Sequence, residues 1–131
     1  MGPDAQVVTN KAPTEDEMKA LRLAWIVSKN SKSNAIVIAN ENQTLGIGSG
    51  QVNRKFSSES ASGRAKDKES EIKVCASDGF FPFADSLDIL QAAGVTAIVQ
   101  PGGSIRDQEV IDACNERGLS MVFTKTRHFL H

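Results

Sequence analysis

Hydrophobic and polar positions follow two periodicities along this chain. Over residues 14–29, Met18, Leu21 and Trp25 recur at helical spacing, with Ile26 and Val27 adding apolar surface in the last turn. That spacing predicts an amphipathic helix. Its start is marked by Thr14-Glu-Asp-Glu17, a capping box in which the Thr14 hydroxyl accepts from the Glu17 amide and the Glu17 carboxylate reaches back. The acidic first turn also suits the positive end of the helix dipole. Ala35-Ile-Val-Ile-Ala39 is instead a continuous apolar, largely β-branched run, as expected of a strand covered on both faces. Asn40-Glu-Asn-Gln43 reads as a turn and Thr44-Leu-Gly-Ile47 as a second strand, together a hairpin. Further on, strands at 72–76, 95–99 and 119–123 alternate with helices at 85–93 and 107–117, each helix stopped by a glycine, Gly94 or Gly118. Strands joined through helices pair in parallel with right-handed crossovers. The predicted fold is α/β: a hairpin followed by a βαβαβ run in one mixed sheet, with the first helix on one face, giving three α/β/α layers.

Two stretches lack either periodicity. Residues 1–13 are polar and aperiodic and are read as a leader, leaving 14–131 as one domain. Residues 51–71 are rich in Ser, Lys and Glu, with only Val52, Phe56, Ala61 and Ala65 as candidate buried positions. They read as a weak surface helix or a mobile loop, and composition favours the loop.

The length of 131 residues suits a single domain, and 40% apolar with 24% charged residues is ordinary globular usage. Fifteen basic against sixteen acidic side chains leave a net charge of −1. This excludes the global basic field of a nucleic-acid or anionic-membrane binder, while a local basic site survives. No apolar run reaches the ~18 residues of a membrane span and residues 1–10 hold no signal-peptide core, so a cytoplasmic location is expected. Cys75 and Cys114 lie far apart in unrelated contexts and read as reduced core residues. No zinc-type spacing is visible.

The chemistry is expected where ligands of open α/β sheets bind, outside the carboxyl ends of the parallel strands. After the strand at 72–76 comes Ser77-Asp-Gly-Phe-Phe-Pro-Phe-Ala-Asp85. Its three phenylalanines either plug the core or wall a slot for a planar ligand, with Asp85 at the rim as acceptor. After the strand at 95–99 comes Gln100-Pro-Gly-Gly-Ser104 with Ile105, Arg106 and Asp107. Paired glycines permit close approach and Ser104-x-x-Asp107 resembles another capping box; the bend is either a plain βα turn, in which glycine pairs are common, or a helix start whose exposed amides attract anions or polar ligand edges. Asn34, directly before an apolar strand, either meets a substrate or fixes a turn. Gly46, Gly48 and Gly50 leave the backbone open, and Arg54 beyond them either pairs a phosphate or stays solvated. In the tail, Thr126-Arg-His-Phe-Leu-His131, Arg127 offers a planar fork for phosphate or carboxamide oxygens, and His128 and His131 titrate near neutrality.

Six ordered stretches carry a family resemblance: Leu21-Arg-Leu-Ala-Trp25, Lys32-Ser-Asn-Ala-Ile-Val37, Gly46-Ile-Gly-Ser-Gly-Gln-Val-Asn-Arg54, Ser77-Asp-Gly-Phe-Phe-Pro-Phe83, Gln100-Pro-Gly-Gly-Ser-Ile-Arg-Asp107 and Arg127-His-Phe-Leu-His131. From about Val7 to His131 the chain resembles the second half of the aminoimidazole carboxamide ribonucleotide (AICAR) transformylase domain of the bifunctional purine-biosynthesis family. The resemblance implies a single cytidine-deaminase-like unit of a tandem pair. It also implies metal-free transfer of a formyl group from 10-formyltetrahydrofolate, the cosubstrate, to AICAR. Matched by motif, Asn34, Arg54, Phe80 and Arg127 fall at positions that contact AICAR, with Asn34 positioning the substrate for catalysis. Lys55, Asp85, Ser104 and Ile105 fall near the folate, and His131 matches the family's terminal histidine. The implied partners are the nucleotide, the folate, and a second copy or a complementary unit, since family sites lie at a dimer interface.

The departures are specific. The family's catalytic Lys-His pair belongs to the first deaminase-like unit, and no Lys-His dipeptide occurs here. The resemblance does not extend to the family's cyclohydrolase domain, Ala84 stands where the family usually has a basic residue, and Lys55 replaces an aliphatic one. Residues 51–71 lack the apolar spacing of the family's helix in that region. Three readings are open: a formyltransferase or its substrate-binding half, a catalytically silent nucleotide- or folate-binding or dimerisation module, and a truncated product.

Overall fold

The computed structural model describes residues 5–31, 35–48, 71–79 and 85–125. In chain order they form β1 (Gln6–Val7), α1 (Glu15–Lys29), β2 (Ile36–Ala39), β3 (Thr44–Gly48), β4 (Val74–Ser77), α2 (Asp85–Ala92), β5 (Ala97–Gln100), α3 (Asp107–Glu116) and β6 (Ser120–Phe123). The six strands make one mixed sheet in the order β1-β6-β5-β4-β2-β3. β4, β5 and β6 are parallel, β2 runs antiparallel to β4 and β3, and β1 antiparallel to β6. The α/β class and the hairpin feeding a βαβαβ run therefore stand as predicted, with boundaries shifted by one or two residues.

Successive strand residues face opposite sides of a sheet, and here each side is covered. Val37, Ala39, Val74, Ala76, Ala97, Val99 and Val122 meet Ala20, Leu21, Ala24 and Trp25 of α1. The small alanines of both partners let the helix approach closely, and Trp25, 1% exposed, fills the remaining space. On the other face Ile36, Ile38, Cys75, Ile98 and Met121 meet Leu87 and Leu90 of α2 and Val110 and Cys114 of α3. Both faces being buried explains why the strands read as unbroken apolar runs.

The capping box of α1 forms as its letters predict: the Glu17 amide donates to Thr14 Oγ1 at 3.1 Å and the Thr14 amide to Glu17 Oε1 at 2.9 Å. The other carboxylate oxygen does more, accepting from Thr96 Oγ1 at 2.5 Å and so tying the helix start to the chain entering β5. At the same end of the sheet Lys73 Nζ donates to the carbonyl of Ala93, just past α2.

The segment read as a leader differs from its pattern. Gln6 and Val7 pair with Phe123 and Val122, the Val8 amide donates to the Met121 carbonyl, and the Met121 amide donates to Thr9 Oγ1. Edge pairing of this kind is made by backbone groups, which carry no hydrophobic period to read. Residues 51–70, where a loop or weak helix was expected, lie outside the described residues.

Cys75 and Cys114 are both free and buried. Burial pushes the Cys114 thiol from an ordinary 9.0 up to about 12, against a weaker opposing pull from the Arg117 charge. The folded chain thus holds the neutral thiol while the unfolded chain ionises. Stability from this group is intact below pH 9 and falls above it by about 1.4 kcal/mol per pH unit until the folded thiol itself ionises near 12. Urea midpoints measured from pH 8 to 11 should therefore fall more steeply for the wild type than for Cys114→Ala; parallel curves would remove the thiol as the cause. Arg117 also bridges the outer helices. Its Nε donates to Asp88 Oδ1 at 2.7 Å, a hydrogen bond that holds the Asp88 carboxyl below its ordinary range.

Candidate functional site

The registers place five chain exits on one rim of the sheet. Parallel β4, β5 and β6 end there at Ser77, Gln100 and Phe123. β2 begins there, because Ile36 pairs with Ser77, and β3 ends there, because Gly48 pairs with Ile36. The Asp78 amide donates to the Ala35 carbonyl at 3.2 Å, joining two of these exits directly. Described residues that adjoin, along the chain, the segments singled out in the sequence lie at this same rim. Ala35 follows Asn34, Gly48 leads toward Arg54 and Lys55, Gly79 precedes Phe80, and Lys125 stands two residues before Arg127.

Asn34, Arg54, Lys55, Phe80, Arg127, His128 and His131 themselves lie outside the described residues, so neither reading of the phenylalanine loop is tested. Asp85 opens α2. Ser104 is half-buried and Ile105 is fully exposed, at 102%.

The glycine bend is described in full. Its Gly102 sits at φ +77°, and a Cβ there would lie 2.6 Å from Phe123 Cδ2, so the ring of Phe123 packs directly on the backbone. The Lys125 amide donates to the Pro101 carbonyl and the Thr124 amide to Gln100, both at 2.9 Å, fastening the bend to the chain leaving β6. Lys125 takes a left-handed φ of 61° to do so. Pro101, Gly102, Gly103, Asp107, Phe123 and Lys125 line a cavity of about 340 Å³.

Two expectations about this bend are corrected. Ser104-x-x-Asp107 forms only half a capping box: Asp107 reaches back, but Ser104 Oγ accepts from the Arg106 amide at 3.1 Å instead of from Asp107. Nor are the amides of the glycine bend just before the helix open to an anion. Gly103 N–H donates to Asp107 Oδ2 at 2.8 Å and Ser104 N–H to Oδ1 at 3.0 Å, so the chain's own carboxylate already occupies them. A carboxylate three and four residues after the amides it meets is bent back by the same geometry that would hold a free anion.

Beneath the rim the side chains turn polar. Ser77, Asp78, Ser86, Gln100 and Thr124 are all buried. Ser77 Oγ donates to the Gly79 carbonyl at 2.7 Å and fixes the exit from β4. Among the described residues Gln100 Nε2 donates to the Met121 sulfur at 3.4 Å, and Gln100 Oε1 and Ser86 Oγ make no hydrogen bond. Each such group costs about 1–3 kcal/mol.

The amino-acid sequence is similar to known proteins of one kind. Residues 2–64 fit the family model of the AICARFT/IMPCHase bienzyme. The bifunctional purine biosynthesis protein PurH of Aquifex aeolicus is 58% identical over 128 residues, covering 96% of this chain. The chain is a relative of the AICARFT/IMPCHase bienzymes. PurH of Streptococcus agalactiae is 55% identical and that of Oceanobacillus iheyensis 52%, each over 98% of the chain. In all three the match spans 25% of the bienzyme's length. The similarity thus runs through the hairpin, the rim and the outer helices alike.

Sequence reasoning passed over three members of the rim cavity: Phe123, taken only as the end of a strand, Lys125, and Asp107 beyond its capping role. Phe123 carried a readable signal, since a large ring at the carboxyl end of a parallel strand stands where ligands approach. Lys125 carried none, because its left-handed backbone is imposed by the Pro101 contact. Among the described residues no group of three or more His, Cys, Asp or Glu is placed to hold a metal ion, and no helix is long and apolar enough to cross a membrane.

Proposed function

We propose that this chain carries the substrate-holding share of AICAR formyl transfer in purine biosynthesis. Support comes from the convergence of five chain exits on one rim, each flanking a segment whose letters match the bienzyme family. In this reading Phe80 walls the planar imidazole, Asn34 hydrogen-bonds the substrate, and Arg54 and Arg127 meet its oxygens. Lys55, Asp85, Ser104 and Ile105 serve 10-formyltetrahydrofolate. A bond forms between the formyl carbon and the 5-amino nitrogen while the bond from that carbon to N10 breaks; the amine loses a proton and N10 gains one. No oxidant or reductant is needed.

General acid-base help is worth roughly 10²–10⁴-fold, and this chain has no Lys-His dipeptide to supply it. The same absence supports a second reading, a binding or dimerisation module without turnover. A formyl-transfer assay with and without a complementary segment bearing the Lys-His unit separates the two. Turnover is expected only in the mixture, falling about 100-fold with Asn34→Ala through lost positioning. A mixture that binds AICAR without transferring the formyl group leaves the silent module standing.

A further inference from the structure

We infer that Asp107 is a positioning residue for the folate side of the rim, an inference that rests on the proposed role of Ser104 and Ile105. A glycine pair is among the most flexible connections a chain can make, so the bend needs an external clamp to fix the residues on its far side. On the β6 side the clamps are backbone bonds, Thr124 to Gln100 and Lys125 to Pro101, and they reach no further than Pro101. Past that point the Phe123 ring packs on Gly102, and the Gly103 and Ser104 amides are held by the side chain of Asp107. Both oxygens of Asp107 are engaged, Oδ2 by the Gly103 amide and Oδ1 by the Ser104 amide, so a single carboxylate sets the orientation of two successive peptide units.

The group this clamp presents is unusual. Ile105, one residue beyond the clamped amides, is 102% exposed, whereas the other large hydrophobics of the described chain are buried or at most about half-exposed. The clamp therefore does not serve to pack Ile105 into the core. It holds an apolar side chain and the Ser104 backbone out at the rim in one fixed place, where a bound molecule meets them. In this role Asp107 acts through these two residues, both its carboxylate oxygens being engaged by the Gly103 and Ser104 amides.

The test is calorimetric titration of the full chain with tetrahydrofolate and, separately, with AICAR. Asp107→Ala should weaken tetrahydrofolate about tenfold, the equivalent of about 1.4 kcal/mol, while AICAR affinity changes less than about twofold. Asp107→Asn, which keeps one carbonyl acceptor for one of the two amides, should recover part of the loss. Thr14→Ala removes a helix cap from the far end of the sheet, and should leave both affinities unchanged. Equal tetrahydrofolate affinity in wild type and Asp107→Ala overturns the inference alone, as does an equal loss in Thr14→Ala. A wild type that binds AICAR but not tetrahydrofolate overturns the assignment of Ser104 and Ile105 and the inference with it.

Discussion

Trp25→Ala should cost about 3–5 kcal/mol of folding free energy. The indole is 1% exposed and fills the layer between α1 and the sheet, where most of its neighbours are already alanine or valine. Ala20, Ala24, Ala39, Ala76 and Ala97 have no side-chain length with which to close a hole, and β2, β4 and β5 are fixed by their ladders. The cavity therefore stays open, which places the loss toward the upper end of the range. Domains are stable by only about 5–15 kcal/mol, so a large part of the total goes at one position. With a urea slope near 2 kcal/mol/M the midpoint should drop by roughly 2 M. A drop below about 0.5 M would mean that α1 slides inward and that the described packing is not rigid.

Gly102→Ala should be the most damaging small substitution at the rim. Two effects add there. The left-handed φ of +77° is strained for alanine by about 1–2 kcal/mol, and the new methyl would meet Phe123 Cδ2 at 2.6 Å and Cγ at 2.9 Å. Phe123 is 7% exposed and belongs to the core cluster, so its ring has little room to retreat, which adds about 1–3 kcal/mol. Gly118 isolates the first effect: its φ is +69°, but nothing lies within 4 Å of a Cβ built there. Thermal or urea unfolding should show Gly102→Ala losing clearly more than Gly118→Ala, and Phe123→Leu should narrow the gap. Equal losses would show that the ring does not press on the bend.

The layers were legible in the letters because both faces of the sheet are buried. Ala35-Ile-Val-Ile-Ala39 announces a doubly covered strand, and Thr14 with Glu17 announces a helix start that forms to the atom. Strand order was not legible. Nothing in the letters of β4 says that β2 lies on one side of it and β5 on the other, since those neighbours are chosen by crossover geometry. β1 escaped notice because an edge strand of two residues is held by its backbone. At the rim the letters misjudged the electrostatics of the glycine bend. The glycine bend looked like an open anion site because Asp107 was read as a helix cap, and whether a carboxylate turns back onto the preceding amides depends on a φ sequence that spacing does not encode. The buried Ser86 and Gln100 oxygens, which make no hydrogen bond among the described residues, were equally invisible, being properties of depth.

The spatial claim is that the substrate-bearing segments gather at the carboxyl rim. Amide chemical shifts of the ¹⁵N-labelled chain titrated with AICAR test it residue by residue. The shifts should concentrate on Ala35, Gly79, Gly102 and Lys125 at that rim, and spare Asn40, Thr96 and Gly118 at the opposite end of the strands. Shifts centred on that opposite end, or none at millimolar nucleotide, would contradict it.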